Sequence, residues 1–269
     1  MPYVGFKLRN DLPIKIVAVG SSSTQGHGAS SPSQSYPARL AVELAELWPR
    51  ARLTVVNSGV GGERTAQMMA RFERDVLPEK PDLVIWQVGT NESLAGDTIY
   101  SMRELILEGI DTLEMAGIDV IVMSPQYAPR FNEKPDHLLR VEAVRSAAVT
   151  KNVGVFRRFE IMQNWVARES MTVSMMITAD GLHMNDLSYG CTAHLLARQI
   201  ADASRAIPLM AIKPQAPLPA SVMALPPIAV PAMGREPITA TGVVTQDIVT
   251  RSVVAPGPAA TPISPNTLR

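Results

Sequence analysis

The sequence has a single cysteine, Cys191, among 269 residues. That excludes an internal disulfide and any zinc site built on several cysteines. It has no net charge, since 25 lysines and arginines balance 25 aspartates and glutamates. Nothing in that balance attracts nucleic acid, and no nucleic-acid partner is expected. No apolar run reaches the ~18–20 residues that a membrane-spanning helix needs. The first residues, MPYVGFKLRNDLP, lack the apolar stretch of a signal peptide, so cytoplasmic residence is the default expectation. Charged residues make up 19% of the chain, below a typical share of about a quarter. The apolar share of 46% is ordinary and argues against wholesale disorder. The length suits one large domain, or one domain with an appendage.

Proline is the residue that is unevenly spread. Twelve of the 22 prolines lie between Pro208 and Pro265, in a segment with few charges. At that density proline removes backbone donors and prevents helices. Residues 207–269 are therefore expected to form an extended or disordered tail, and residues 1–206 the folded domain. A small strand pair from Gly242–Val244 and Asp247–Val254, docked on the main body, is the alternative.

Residues 14–206 alternate between two textures. Ile14–Val19, Leu53–Val56, Leu83–Val88 and Ile118–Met123 are short β-branched runs, with Val153–Phe156 as a fifth candidate. They read as strands buried on both faces of a parallel sheet. Helical patterns separate them: Tyr36–Leu47, Thr65–Leu77, Thr98–Met115, His137–Ala148 and Asp186–Ala203. Strand–helix alternation with right-handed crossovers predicts an α/β fold, a three-layer α/β/α sandwich around a parallel sheet of about five strands. Ligands in such sheets bind beyond the carboxyl ends of the strands, so the residues after each strand matter most.

Four loops follow. After the first strand comes GSSSTQG, Gly20–Gly26. It lacks the lysine of a phosphate-binding P-loop and the spacing of a dinucleotide fingerprint, and serines often fill turns. After the second comes NSGVGGE, Asn57–Glu63, whose glycines allow close backbone approach to a ligand or simply make a turn. After the third comes GTNE, where Asn91 offers an amide donor or caps the next segment. Near the end comes DGLHMND, with Asp180 three residues before His183. That spacing lets the carboxylate accept from Nδ1 and leave Nε2 as a base. A metal reading would use Asp180, His183 and Asp186, but His27, His137 and His194 are not spaced to complete it, and no metal or other cofactor is expected.

In this order the four motifs resemble the SGNH hydrolases, also called the GDSL esterase/lipase family. The resemblance spans about residues 14–206. It implies a flavodoxin-like fold and assigns the four signature positions to Ser22, Gly62, Asn91 and His183, with Asp180 as the third triad member. It implies catalysis by Ser22, His183 and Asp180, with an oxyanion hole formed by Ser22, Gly62 and Asn91. The family block GDS carries aspartate where this chain has Ser21. Ser21 and Ser23 therefore compete with Ser22 for the role of nucleophile, and Gly61 competes with Gly62. An α/β-hydrolase is disfavoured, since its nucleophile sits in G-x-S-x-G deep in the chain.

The resemblance implies a serine esterase for short acyl esters, acetyl above all, with small-molecule or carbohydrate esters as substrates. An O-acyltransferase, or a non-catalytic binding module on the same fold, are the alternatives. The loops Gln126–Asp136 and Phe156–Thr178 are expected to shape the crevice, and Met171, Met175 and Met176 either line an acyl pocket or join the core. Asp180 is expected to raise the pKa of His183 above histidine's ordinary ≈ 6.5.

Overall fold

The structure, a computed structural model, describes residues 1–205. The expected proline-rich tail and its two strand-like stretches lie outside the described residues.

Five strands form one parallel sheet: β1 Ile14–Gly20, β2 Leu53–Gly59, β3 Leu83–Gln87, β4 Asp119–Met123 and β5 Gly154–Phe156. Their order is β2-β1-β3-β4-β5. Ile16 sits between Val55 of β2 and Leu83 of β3. After β2 the chain therefore crosses back over β1 and builds outward on its other side. That reversal opens a crevice at the carboxyl edge between β1 and β3, where two backbone connections diverge.

The helices are α1 Pro2–Arg9, α2 Ser22–Gln25, α3 Tyr36–Leu47, α4 Thr65–Met69, α5 Thr90–Ala95, α6 Ile99–Met115, α7 Pro129–Asn132, α8 His137–Thr150, α9 Arg158–Ala167, α10 Val173–Met176 and α11 Asp186–Arg205. Strand residues alternate in direction, and this splits the core into two layers. Ile14, Ile16, Ala18, Leu83, Ile85, Ile121 and Met123 face Leu40 and Leu44 of α3 and Leu196 and Ile200 of α11. Val17, Val19, Val84, Trp86, Val120 and Val122 face Ile106 and Ile110 of α6 and Val144 of α8. The result is the expected α/β/α sandwich.

Three readings change, and one helix is added. β2 is not buried on both faces, because it is an edge strand and alternates between half-buried and exposed positions. The pattern at Thr65–Leu77 is not one helix; α4 stops at Met69 and a wider turn spans Phe72–Val76, still burying both end residues. The segment Phe156–Thr178 is not a crevice loop throughout, since α9 occupies Arg158–Ala167. The N-terminal residues form α1, a helix too short for periodicity to signal. It is held by tertiary contacts, with the Tyr3 and Val4 N–H groups donating to Asp119 Oδ2 at 3.0 Å each. Among the described residues no helix is long and apolar enough to cross a membrane.

Candidate active site

Ser21, Ser22 and Ser23 follow β1, and their neighbours assign them different directions. Ser21 is buried, and both its N–H and its hydroxyl donate to Gln87 Oε1 at 3.0 Å. Gln87 ends β3, so the loop is braced across the crevice by an amide where the family block has aspartate. Ser23 is also buried, and its hydroxyl points to Gln126 Oε1 at 3.5 Å. Only Ser22 is left half-exposed and facing the loop that carries the histidine.

Ser22 Oγ lies 2.8 Å from His183 Nε2, and His183 Nδ1 lies 2.5 Å from Asp180 Oδ2. An ionised carboxylate only accepts, so the ring proton sits on Nδ1 and Nε2 accepts from the Ser22 hydroxyl. The other Asp180 oxygen, Oδ1, accepts from the Thr178 hydroxyl at 2.8 Å and from the N–H groups of Leu182 and His183 at 2.9 and 3.0 Å. The DGLH turn thus folds around its own carboxylate.

On the opposite side, Asn91 is the second residue of α5, and its Nδ2 donates to the Glu63 carbonyl at 2.8 Å. That bond uses one amide hydrogen and joins Asn91 to the turn that holds Gly61 and Gly62. Gly62 has φ +81°, a conformation that favours glycine, while a Cβ on Gly61 would come within 3.8 Å of Ser22 Cβ. Neither glycine N–H donates to a backbone acceptor among the described residues. Gly59 has the same logic at closer range, since a Cβ there would sit 2.1 Å from the Gln25 nitrogen of α2.

Three buried residues that the sequence did not single out tie these loops together. Gln126, just past β4, accepts at Oε1 from Ser23, from Thr90 Oγ1 at 3.1 Å and from Arg158 Nη2 at 2.9 Å. Its Nε2 donates to the Leu182 carbonyl at 3.0 Å, next to His183. Arg158 is fully buried, donates to the Ser124 carbonyl at 3.1 Å and forms no ion pair among the described residues. Burial lowers its pKa to about 10, with Tyr36 and Tyr189 opposing, so it stays charged at neutral pH. Glu92, beside Asn91, accepts from Gly89 N–H at 3.1 Å and from both the N–H and the hydroxyl of Thr65. Gln126 lies where strand ends make ligand sites, a signal the sequence does hold. Nothing in the sequence marks Arg158 as buried.

The electrostatics of His183 differ from the expectation. Burial pushes its pKa below the ordinary histidine value, the bond to Asp180 opposes this, and His27 and Arg130 add to the lowering. A nearby carboxylate is thus outweighed by loss of solvent, a tertiary effect. For Asp180, burial works upward, but the bonds from His183, Leu182 and Thr178 hold the carboxyl well below the usual carboxylate range.

The candidate metal set of Asp180, His183 and Asp186 does not assemble. Asp186 is engaged by the Ser30 N–H and hydroxyl at 2.8 and 2.5 Å. The residue that joins Asp180 and His183 instead is His27, whose ring centroid lies 4.1 Å from that of His183. Met176 is in the core, Met171 packs against it and Met175 is exposed, so the three do not line one acyl pocket.

The sequence profile of the Non-GDSL lipase-like family matches residues 1–206. The chain belongs to that family. The absence of aspartate at Ser21 accords with its description. Among curated relatives, an uncharacterized lipoprotein, YqeF, of Bacillus subtilis is 34% identical over 121 residues, which cover 39% of this chain and 49% of that protein. An acetylxylan esterase of Geobacillus stearothermophilus is 31% identical over 78 residues, covering 29% of this chain and 36% of that one. The chain spans about half the length, or less, of these two relatives. Among solved structures, a two-domain esterase active on acetylated mannans shares the fold, with a TM-score of 0.64 at 21% identity over 80% of this chain and 56% of that chain.

Proposed function

We propose that the protein is a serine carboxylic ester hydrolase for short acyl esters, acetyl first, including O-acetyl groups on carbohydrate. The observation that carries this is the unbroken relay from Ser22 Oγ through His183 to Asp180, at 2.8 and 2.5 Å. Ser22 Oγ attacks the ester carbonyl while His183 Nε2 takes its proton. His183 then returns that proton to the leaving alcohol, and Asp180 holds the productive tautomer throughout. The tetrahedral oxyanion is held by the Ser22 N–H, the Gly62 N–H (with Gly61 as its neighbour) and the free amide hydrogen of Asn91. Water attacks the acyl-enzyme by the same route in reverse. A non-catalytic module has no use for a histidine held in the basic tautomer against a hydroxyl. The acetyl preference draws support from the activities of the acetylxylan esterase and the acetyl-mannan esterase, and from the polar surroundings of His183, with His27 and Arg130 nearby. The proposed domain boundary at residue 206 coincides with the end of the family match.

A series of p-nitrophenyl esters tests the acyl class, alongside acetylated xylo- and manno-oligosaccharides. kcat/KM is expected to be highest for acetyl and to fall by about tenfold or more by octanoyl. A rising trend with chain length would sink the acetyl reading and favour a lipase.

The pH profile follows from the sign of the His183 shift. The base form is neutral His183, and lowering its pKa keeps it neutral to lower pH. kcat/KM is expected to rise through one ionisation with a midpoint below histidine's ordinary ≈ 6.5 and then level off. A midpoint above that value would show that the Asp180 carboxylate, and not burial, dominates in the working enzyme.

A further inference from the structure

His27 is the unexplained member of the site. It is exposed and its ring nitrogens have no hydrogen-bond partner among the described residues, yet its backbone is fixed. Its N–H donates to the Ser22 carbonyl at 2.9 Å, and its carbonyl accepts from the Tyr189 hydroxyl at 2.7 Å. The ring is thereby carried beside His183, with the planes tilted by 53°. One ligand atom from each of His27, Asp180 and His183 lies within 4.8 Å of the other two.

The geometry points to a Zn²⁺ site formed by His27, Asp180 and His183 that switches the esterase off. Two imidazoles and a carboxylate are a donor set that zinc takes readily, leaving a fourth position for water. Tetrahedral ligands at 2.0–2.1 Å stand about 3.4 Å apart. Atoms that already lie within 4.8 Å of one another reach that spacing by side-chain rotation, chiefly of the exposed His27 and Asp180. Occupation and catalysis exclude each other. His183 has two nitrogens, and the serine mechanism uses both: Nδ1 is held by Asp180, and Nε2 takes the Ser22 proton. Whichever one the ion takes is lost to the relay. Ser22 is not needed as a ligand.

This regulatory reading rests on the proposed esterase function, but the site itself does not, so two readouts are needed. Calorimetry with ZnCl₂ on the full chain is expected to find one ion per chain. The same ion should bind to Ser22→Ala, and about tenfold or more weakly to His27→Ala and His27→Gln. In turnover of p-nitrophenyl acetate, zinc is expected to inhibit, EDTA to reverse the inhibition, and either His27 variant to need about tenfold or more zinc for the same effect. Absence of saturable binding up to about 1 mM zinc overturns the site. So does binding that is unchanged in both His27 variants. Zinc that binds through His27 without inhibiting, or that activates, overturns the switch. A chain without any ester turnover refutes the esterase reading and with it the switch, while calorimetry still judges the site.

Discussion

Ser22→Ala is expected to lower kcat for p-nitrophenyl acetate by about 10⁴–10⁶-fold, the range seen when a triad nucleophile is removed and only the oxyanion donors and binding remain. The fold should barely notice. The Ser22 side chain makes one side-chain hydrogen bond, to His183, and it is not part of the buried core. Losing one such bond at a half-exposed position is worth about 1 kcal/mol or less. Thermal unfolding should therefore stay within a few degrees of the parent. The neighbouring serines make the comparison sharp. Ser21→Ala removes one of the donors on Gln87, and Ser23→Ala removes a long contact to Gln126. Both should act by loosening the loop, with smaller losses in rate. A Ser23→Ala enzyme that is dead beside an active Ser22→Ala would transfer the nucleophile's role to Ser23.

That three-way choice shows where sequence reading runs out. Three adjacent serines have the same chemistry, and nothing local ranks them. Their directions are set by Gln87 and Gln126, which arrive from the ends of β3 and β4. The strands themselves were legible because each is a short β-branched run, and alternation then divides its side chains between the two helical layers. β2 misled because an edge strand keeps the composition of its neighbours without their burial. The DGLH turn was legible because its bonds are local: Asp180, Leu182 and His183 satisfy one another within four residues. His27 was not, because its approach to His183 depends on packing between segments far apart in the chain. The direction of the His183 pKa was hidden for the same reason. An aspartate three residues away can be read from a string of letters, and the desolvation that outweighs it cannot.

The least legible feature organises the site. Gln126 reaches the serine loop through Ser23, the asparagine loop through Thr90 and the histidine loop through Leu182, and Arg158 fixes Gln126 from beneath. A buried cation without a carboxylate is costly unless its donors are satisfied. Here a backbone carbonyl and an amide oxygen take that role, and the charge strengthens the bonds it makes. Arg158 thus acts as a positioning residue, holding three loops in register through one side chain.

Asp180→Asn is the second substitution with a large expected effect, about 10⁴-fold in kcat by comparison with the equivalent change in a serine protease triad. The reason is specific to this turn. An asparagine must choose which end of its amide carries oxygen. At the Oδ1 position three donors converge, from Thr178, Leu182 and His183, so the oxygen belongs there. The amide NH₂ must then face His183 Nδ1. Nδ1 becomes an acceptor, the ring proton moves to Nε2, and Nε2 no longer has a lone pair for the Ser22 hydroxyl. The substitution keeps the turn and inverts the tautomer. Circular dichroism and the unfolding midpoint should therefore change little while turnover collapses. A loss smaller than about tenfold would mean that His183 is oriented by something other than Asp180, and the relay that carries the functional proposal would have to be redrawn.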